Sequence, residues 1–256
     1  MYTQATHQTF RYVNFYRGSH FRFLFRFDVR YRCRRIHEVL AQLGICVENR
    51  KVMDFGFGNG ALLKTFPKTC ALVGVDVSAS AVDGAYADSA YEAYRSAMFF
   101  QVDEHNPSYC TGEQFDLVLS SHTLEHTIDD DAVLRSFYER TKPGGHLCLF
   151  VPIEEPDYIR FHCRTYSLPS IQAACQKAGY DIVYAEPSMH INGHIWKLLT
   201  IPSRREWPVF GKLADALRLT TLSLMPYDII KAADCILDKL SFSPRQAFVV
   251  AKKKAL

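Results

Sequence analysis

Short apolar runs of strand length recur along the chain. The first five runs are separated by segments whose apolar residues recur at the three- and four-residue spacing of a helix. Strands that alternate with helices form a parallel sheet with helices on both faces, so the pattern predicts an α/β fold. With two later runs, the pattern predicts strands at residues 51–55, 71–76, 98–103, 115–120, 146–151, 181–186 and 246–252.

Helices are predicted from the apolar spacing together with capping residues. Ser78 and Ser167 are candidate N-caps, and Gly44 and Gly179 are candidate helix ends. The predicted helices cover residues 28–43, a segment that starts at 61, 78–96, 129–141, 167–179, 209–219 and a last helix from 226. The last helix begins at Pro226 and carries an apolar face formed by Ile229, Ile230, Ala233, Ile236, Leu237 and Leu240.

A glycine-rich turn, Gly56-Phe57-Gly58-Asn59-Gly60, follows the first predicted strand directly. Glycine permits a positive φ and lets a ligand approach the backbone closely, so a strand, a glycine turn and a helix together favour a nucleotide-like ligand. The spacing is GxGxG rather than GxGxxG, which disfavours a dinucleotide. A turn of this kind is weak evidence when it stands alone.

Polar residues end the other predicted strands. Asp76 ends the second strand, Asp103 ends the third, and Ser120 to His122 end the fourth. Ligands of open parallel sheets bind at the carboxyl ends of the strands. We therefore expect these residues to converge on the glycine turn.

The composition is that of an ordinary globular protein, with 48% hydrophobic and 22% charged residues. A formal net charge of +3 implies nothing by itself about nucleic acid. The cysteines are scattered without a CxxC pair, so we expect reduced, mostly buried thiols and a cytoplasmic location. We also expect neither a signal peptide nor a transmembrane segment.

Aromatic residues and arginines are interleaved in residues 1–27. This composition suits a surface for single-stranded nucleic acid, because bases stack on aromatic rings. The interpretation that we favour is a helical cap whose aromatic rings pack on the core while its arginines face water. A third interpretation is a basic rim that attracts an anionic substrate.

Five motifs in order give the chain a specific resemblance. They are Val52–Gly60, Gly74–Ser78, Gln101–Asp103, Phe115–His126 and Lys142–Val151. Residues 51 to about 186 resemble a class I S-adenosylmethionine-dependent methyltransferase of the small-molecule (type 11/12-like) group. The resemblance implies a Rossmann-like, seven-stranded, mostly parallel sheet. We expect a methyltransferase domain at 45–256, an N-terminal helical cap at 1–44 and a helical insertion or lid at 187–245.

The resemblance also implies residues that bind S-adenosylmethionine and its product S-adenosylhomocysteine. Asp54 and the turn would lie at the methionine end, Asp76 would accept from the ribose hydroxyls, and Asp103 would accept from the adenine amino group. Where the family often has cysteine, this chain has Phe57. The implied binding set is Asp54, Gly56, Phe57, Gly58, Gly60, Asp76, Val77, Val102, Asp103, Glu104, Ser121 and His122.

The candidate catalytic residues are His122, His162 and Tyr166. His122 follows the fourth strand and is the best-placed base, whereas His162 and Tyr166 belong to a loop that similar enzymes place over the substrate. His122 and His126 have the spacing of metal ligands on a helix, and so do His190 and His194. No further ligand cluster accompanies either pair, so we expect no metal.

The acceptor is less constrained than the cofactor. We expect methylation of a small organic molecule, with oxygen favoured and nitrogen or carbon open, because residues 120–123 lack the Asn/Asp-Pro-Pro-Tyr/Phe tetrapeptide of amino-directed nucleic-acid enzymes. The alternatives are an RNA or protein methyltransferase that uses the arginine-rich N-terminus, and a non-catalytic interaction subunit. We expect no nucleic-acid partner, and a homodimer remains possible.

Overall fold

The computed structural model describes residues 26–102, 112–153, 162–191, 216–217 and 220–255. The strands are β1 Lys51–Phe55, β2 Ala71–Asp76, β3 Ser96–Gln101, β4 Phe115–Ser121, β5 Thr141–Pro152, β6 Asp181–Ser188 and β7 Gln246–Lys252. The α-helices whose two ends lie within the described residues are α1 Phe27–Gln42, α2 Ala79–Tyr86, α3 Asp130–Arg140, α4 Leu168–Lys177 and α5 Tyr227–Lys239.

The strands form one seven-stranded sheet in the order β3-β2-β1-β4-β5-β7-β6. The first five strands are parallel, and β7 runs antiparallel to both β5 and β6. All six residues of β2 are buried, as the continuous apolar run predicts for a strand covered on both faces. The predicted α/β fold with a mostly parallel sheet is confirmed.

Alternate residues of the central strands pack against helices on opposite faces of the sheet. Phe55 of β1 points to the face covered by α3, where its ring meets that of Phe137 at 5.2 Å between centroids. Val52 of the same strand points to the other face and shares a buried cluster with Ile36 of α1. Each face therefore has its own apolar core.

Two predicted helices are wrong in extent. After the glycine turn, only a single 3-10 turn forms, at Leu63–Thr65, because Pro67 follows at once and only ten residues separate Gly60 from β2. The helix predicted at 78–96 ends at Tyr86. Asp88 then caps a separate 3-10 helix by accepting the N–H of Ala90 at 2.9 Å.

Helices α1 and α5 pack on each other and form a third buried cluster beyond the sheet. The rings of Tyr31 and Tyr227 lie 5.6 Å apart in this cluster, which also holds Phe27 and Ile230. The predicted helix from 226 is confirmed, but its apolar face is only partly buried. Three of the predicted face residues are more than half exposed: Ile229, Ile236 and Leu240.

A polar network joins the same two helices to the sheet. Arg35 of α1 donates two hydrogen bonds to the carboxylate of Glu186 in β6, at 2.7 and 2.6 Å. Glu38 of α1 accepts from the Tyr227 hydroxyl at 2.8 Å and from Lys231 at 2.7 Å. Helix α1, the end of the sheet and α5 are thus linked by charge-assisted hydrogen bonds.

The seven cysteines that the structure describes are all free thiols. Only Cys70, Cys148 and Cys175 are buried, so the prediction that most cysteines are buried is wrong. A cytoplasmic location stays a prediction. None of the described helices is long and apolar enough to cross a membrane. Residues 1–25 and most of the predicted helix at 209–219 lie outside the described residues.

Candidate active site

The carboxyl ends of β1, β2 and β4 lie side by side. Phe55, the last residue of β1, pairs with Val75 of β2 and with Ser120 of β4. Asp76 pairs with Gln101 at the end of β3. This register brings the glycine turn, Asp76 and the Ser121–His122 segment to one edge of the sheet, as the sequence predicts.

The glycine turn is held by contacts within the protein. Gly56, Gly58 and Gly60 have φ values of 78°, 55° and 69°, in the left-handed region that favours glycine. A Cβ atom on Gly56 would lie 2.1 Å from Oγ1 of Thr123, and one on Gly60 would lie 1.9 Å from the hydroxyl of Tyr91. Gly56 and Gly60 are therefore constrained by neighbouring side chains as well as by backbone conformation.

Phe57 fills space inside the protein. Its side chain is 5% exposed and contacts the ring of Phe99 at 5.4 Å between centroids. A Cβ atom on Gly74 of β2 would lie 2.8 Å from the Phe57 ring, so that glycine makes room for it. Phe57 thus anchors the turn on the sheet, a packing role that the motif alone does not reveal.

The carboxylate of Asp76 is buried and oriented by backbone amides. The N–H of Gly58 donates to Oδ2 at 2.8 Å, and the N–H of Ser78 donates to Oδ1 at 2.8 Å. Burial raises the pKa of Asp76, although these N–H groups work in the opposite direction. Each oxygen can accept a second hydrogen bond, which suits a ligand with two neighbouring hydroxyl groups.

Asp54, at the end of β1, carries a buried oxygen with no protein partner. Its side chain is 2% exposed, and Oδ1 accepts no hydrogen bond. Burial, and secondly the charge of Asp76, raises the pKa of Asp54 to about 8. Asp54 and Asp76 are thus two buried carboxyl groups with raised pKa values, and a nearby cation would stabilise their ionised forms. The residues present therefore fit a ligand that has both hydroxyl groups and a positive charge.

His122 adopts a left-handed backbone conformation, with φ 55°, just after β4. Its backbone N–H donates to the carbonyl of Phe150 at 2.9 Å, and its ring Nε2 lies 3.0 Å from Oε1 of Gln246. The amide of Gln246 in turn donates to Ser188 Oγ at 3.0 Å. This orientation assigns the proton of His122 to Nε2 and leaves a lone pair on Nδ1.

Sequence reasoning missed Gln246 and Ser188. They begin β7 and end β6, two strands that run antiparallel to each other, so both residues lie at the edge that carries His122. Both are 1% exposed. No local signal could have found them, because the contact joins positions 124 residues apart.

Charged residues of α1 and of its N-cap act on His122. Burial is the main reason that the pKa of His122 lies well below its ordinary value, and the positive charge of Arg32 lowers it further. Asp28 lies 3.5 Å from Arg32 and 3.0 Å from Arg26. Burial acts to raise the pKa of Asp28, but the two arginines hold it at about 2. The imidazole is therefore neutral, and the positive charges of Arg32 and Arg26 act on it while the negative charge of Asp28 opposes them.

The two other candidate bases contact partners other than His122. Tyr166 is 7% exposed and donates to Asp130 Oδ2 at 2.7 Å, next to the start of α3. Burial and this carboxylate raise the pKa of Tyr166, which makes its hydroxyl a poor base. His162 packs its ring edge-on against His126, with centroids 4.8 Å apart.

The remaining predicted cofactor residues divide into two groups. Val77 and Val102 directly follow β2 and β3, and Ser121 ends β4, so all three lie at the same edge of the sheet. Asp103 and Glu104 lie outside the described residues, as do residues 154–161.

Comparison with known proteins gives the family. A family model described as a methyltransferase domain matches residues 25–185. The ubiquinone biosynthesis O-methyltransferase of Rhodopseudomonas palustris is 30% identical over 197 residues, which are 73% of this chain and 72% of that protein. Phosphoethanolamine N-methyltransferase 3 of Arabidopsis thaliana is 29% identical over 150 residues, 54% of this chain but only 30% of its own length.

A solved structure shares the fold. Phosphoethanolamine N-methyltransferase 2 of Haemonchus contortus, in complex with S-adenosyl-L-methionine, superposes with a TM-score of 0.55 at 19% identity. The superposition covers 85% of this chain and 51% of that one. The match to the methyltransferase domain model, the similar methyltransferases and the strand order all agree with the five sequence motifs. The chain therefore belongs to the class I S-adenosylmethionine-dependent methyltransferases.

Proposed function

We propose that this enzyme transfers the methyl group of S-adenosylmethionine to an oxygen atom of a small, anionic organic acceptor and releases S-adenosylhomocysteine. The observation that carries the proposal is that the positive charges of Arg32 and Arg26, at the start of α1, act on His122 at the carboxyl edge of the sheet. A positive field stabilises a phenolate or carboxylate oxygen and repels an ammonium group. The O-methyltransferase relative supports the same choice of atom.

The cofactor would occupy the edge formed by β1, β2 and β4. The second lone pairs of the Asp76 carboxylate would accept the ribose hydroxyls, and Val77 and Val102 would lie against the adenine. The orphaned oxygen of Asp54 would accept from the ammonium group, directly or through water. The cofactor supplies an electrophilic methyl group on a sulfonium, so the protein chiefly has to align the acceptor.

His122 then acts mainly through position. A group whose protonated form is strongly acidic is a weak general base near neutral pH. Its Nδ1 lone pair instead accepts a hydrogen bond from the acceptor hydroxyl while that group is still protonated, and Arg32 and Arg26 then stabilise the anion that remains when the proton leaves. The proton is lost to solvent before the transfer, because the anion is the species that the field selects.

The cap and the insertion would cover the acceptor. Helix α1 belongs to the 1–44 segment and carries Arg32, and α5 belongs to the 187–245 segment and packs on α1. We infer that residues 45–256 form the methyltransferase domain and that these two segments form its acceptor side.

The test compares Arg32→Gln with Arg135→Gln, which changes an exposed arginine of α3. Methyl-labelled cofactor is supplied with a panel of phenolic acids and phenols, and product is counted. We expect Arg32→Gln to raise KM for the best anionic acceptor by about tenfold, the equivalent of about 1.4 kcal/mol, and Arg135→Gln to leave KM unchanged. Equal KM values for the two variants would refute the role of the field.

Nitrogen methylation is the second candidate, because a plant phosphoethanolamine N-methyltransferase also matches over half of this chain. The same panel therefore includes phosphoethanolamine and simple amines. Faster labelling of an amine than of any oxygen acceptor would favour this reaction. RNA would be the substrate if the enzyme labelled total RNA and bound it with salt-sensitive affinity.

A further inference from the structure

Three side chains of metal-ligand type meet near His122. Glu125 and His126 belong to a 3-10 helix, Leu124–His126, that follows β4, and His162 lies 36 positions further along the chain. One donor atom from each lies within 4.8 Å of the others. Glu125 Oε1 and His126 Nε2 are 3.8 Å apart. Among the described residues, this is the one set of three that meets this distance.

The cluster differs from the ligand pair suggested by sequence spacing. His122 and His126 do not lie on one helix, because His122 is in the left-handed conformation. The further ligands that the sequence did not reveal come from Glu125 and from the distant His162. His122 remains near, with its Nδ1 3.8 Å from Glu125 Oε1.

Backbone contacts hold the two parts of the cluster together. The N–H of Cys163 donates to the carbonyl of Glu125 at 2.8 Å. The guanidinium of Arg164 donates to the carbonyls of Thr127 and Ile128, each at 2.7 Å. Cys163 and Arg164 are thus hydrogen-bonded to the segment that carries Glu125 and His126. These bonds limit the motion of His162.

The charges also suit a cation. Glu125 is 1% exposed, so its carboxylate has lost most of its hydration. Two half-buried imidazole rings lie beside it, in edge-on contact. A divalent cation would compensate the buried carboxylate and use a lone pair of each imidazole at the same time.

We propose that Glu125, His126 and His162 bind a divalent cation of the zinc type. Two histidines and one glutamate are a ligand set that zinc accepts, with bonds of about 2.0–2.2 Å. Tetrahedral bonds of that length separate two donor atoms by about 3.3 Å. The distances between donor atoms, which are at most 4.8 Å here, therefore need to shorten by up to about 1.5 Å. Three protein ligands leave a fourth position for water. Magnesium is disfavoured, because it prefers oxygen ligands.

The experiment measures zinc binding without cofactor or acceptor, so its result is independent of the proposed methyl transfer. Untagged protein is titrated with zinc against a chromogenic chelator, and bound zinc is counted by mass spectrometry after dialysis. We expect one zinc per chain, not displaced by excess magnesium. His162→Gln should weaken binding by at least about tenfold. His37→Gln removes a histidine that contacts Thr65 instead and should leave the affinity unchanged.

Two outcomes overturn the proposal. The first is equal zinc affinity of the wild type and His162→Gln, which would indicate scattered histidine sites. The second is no zinc binding by the wild type. Thermal unfolding and S-adenosylhomocysteine binding show whether His162→Gln is folded. Should it be unfolded, cobalt added to the wild type decides: a visible spectrum of a tetrahedral site with nitrogen and oxygen ligands supports the cluster, and the spectrum of aqueous cobalt refutes it.

Discussion

Replacing Asp54 by asparagine should change how the stability of the protein depends on pH. The pKa of Asp54 rises from 3.8 to about 8 in the fold because the carboxyl group is buried beside Asp76. Between these two values the folded protein keeps a proton that the unfolded chain has lost. The free energy of unfolding contributed by Asp54 therefore falls as the pH rises through this window, by up to about 1.4 kcal/mol per unit.

The magnitude is large enough to measure. From pH 5 to pH 7 the free energy of unfolding of the wild type should fall by about 2–3 kcal/mol more than that of Asp54→Asn. Asparagine has nearly the same shape as aspartate but does not ionise. Urea unfolding followed by circular dichroism at pH 5, 6 and 7 gives the two curves. Asp181→Asn, at an exposed carboxyl group 3.8 Å from Lys254, should follow the wild type. Parallel curves for the wild type and Asp54→Asn would refute the buried, neutral carboxyl group.

Three other substitutions test the site and its support. Asp76→Asn should weaken S-adenosylhomocysteine binding, measured by calorimetry, by at least about tenfold while the protein stays folded, because an amide is a weaker acceptor for two hydroxyl groups. Gly60→Ala should cost more than about 1 kcal/mol of unfolding free energy, and Tyr91→Phe should restore part of it by removing the hydroxyl 1.9 Å from the new Cβ. Glu186→Gln should cost about 2 kcal/mol in urea unfolding, because it leaves the half-buried Arg35 with one charged partner fewer.

The central strands of the sheet were predictable because they are buried on both faces. A strand such as β2, with every residue buried, appears in the sequence as a continuous apolar run. The acids at the ends of β1 and β2 were predictable for a related reason, since the register places the ends of parallel strands together. Asp76 lies at the predicted edge, fixed by backbone amides.

Other features depend on contacts that leave no local pattern. The short 3-10 turn after the glycines reflects Pro67 and the length of the crossover, which override the helical apolar spacing. The link from His122 to Gln246 and Ser188 joins three strand ends that are distant in sequence. The positive field on His122 comes from α1, whose arginines the sequence shows but cannot orient.

The glycine turn has a consequence for recognising active members of the family. A side chain at Gly56 would strike Thr123, and one at Gly60 would strike Tyr91, whether or not a ligand is bound. A descendant that had lost methyl transfer would still lose stability if either glycine were replaced. The presence of the turn therefore reports on the integrity of the scaffold. The unpaired oxygen of Asp54 is different, because burying it costs stability that only a bound cation or a proton offsets. A relative that no longer binds the cofactor would gain stability by replacing that aspartate. A sequence that keeps the glycines but lacks the aspartate is therefore expected not to bind the cofactor.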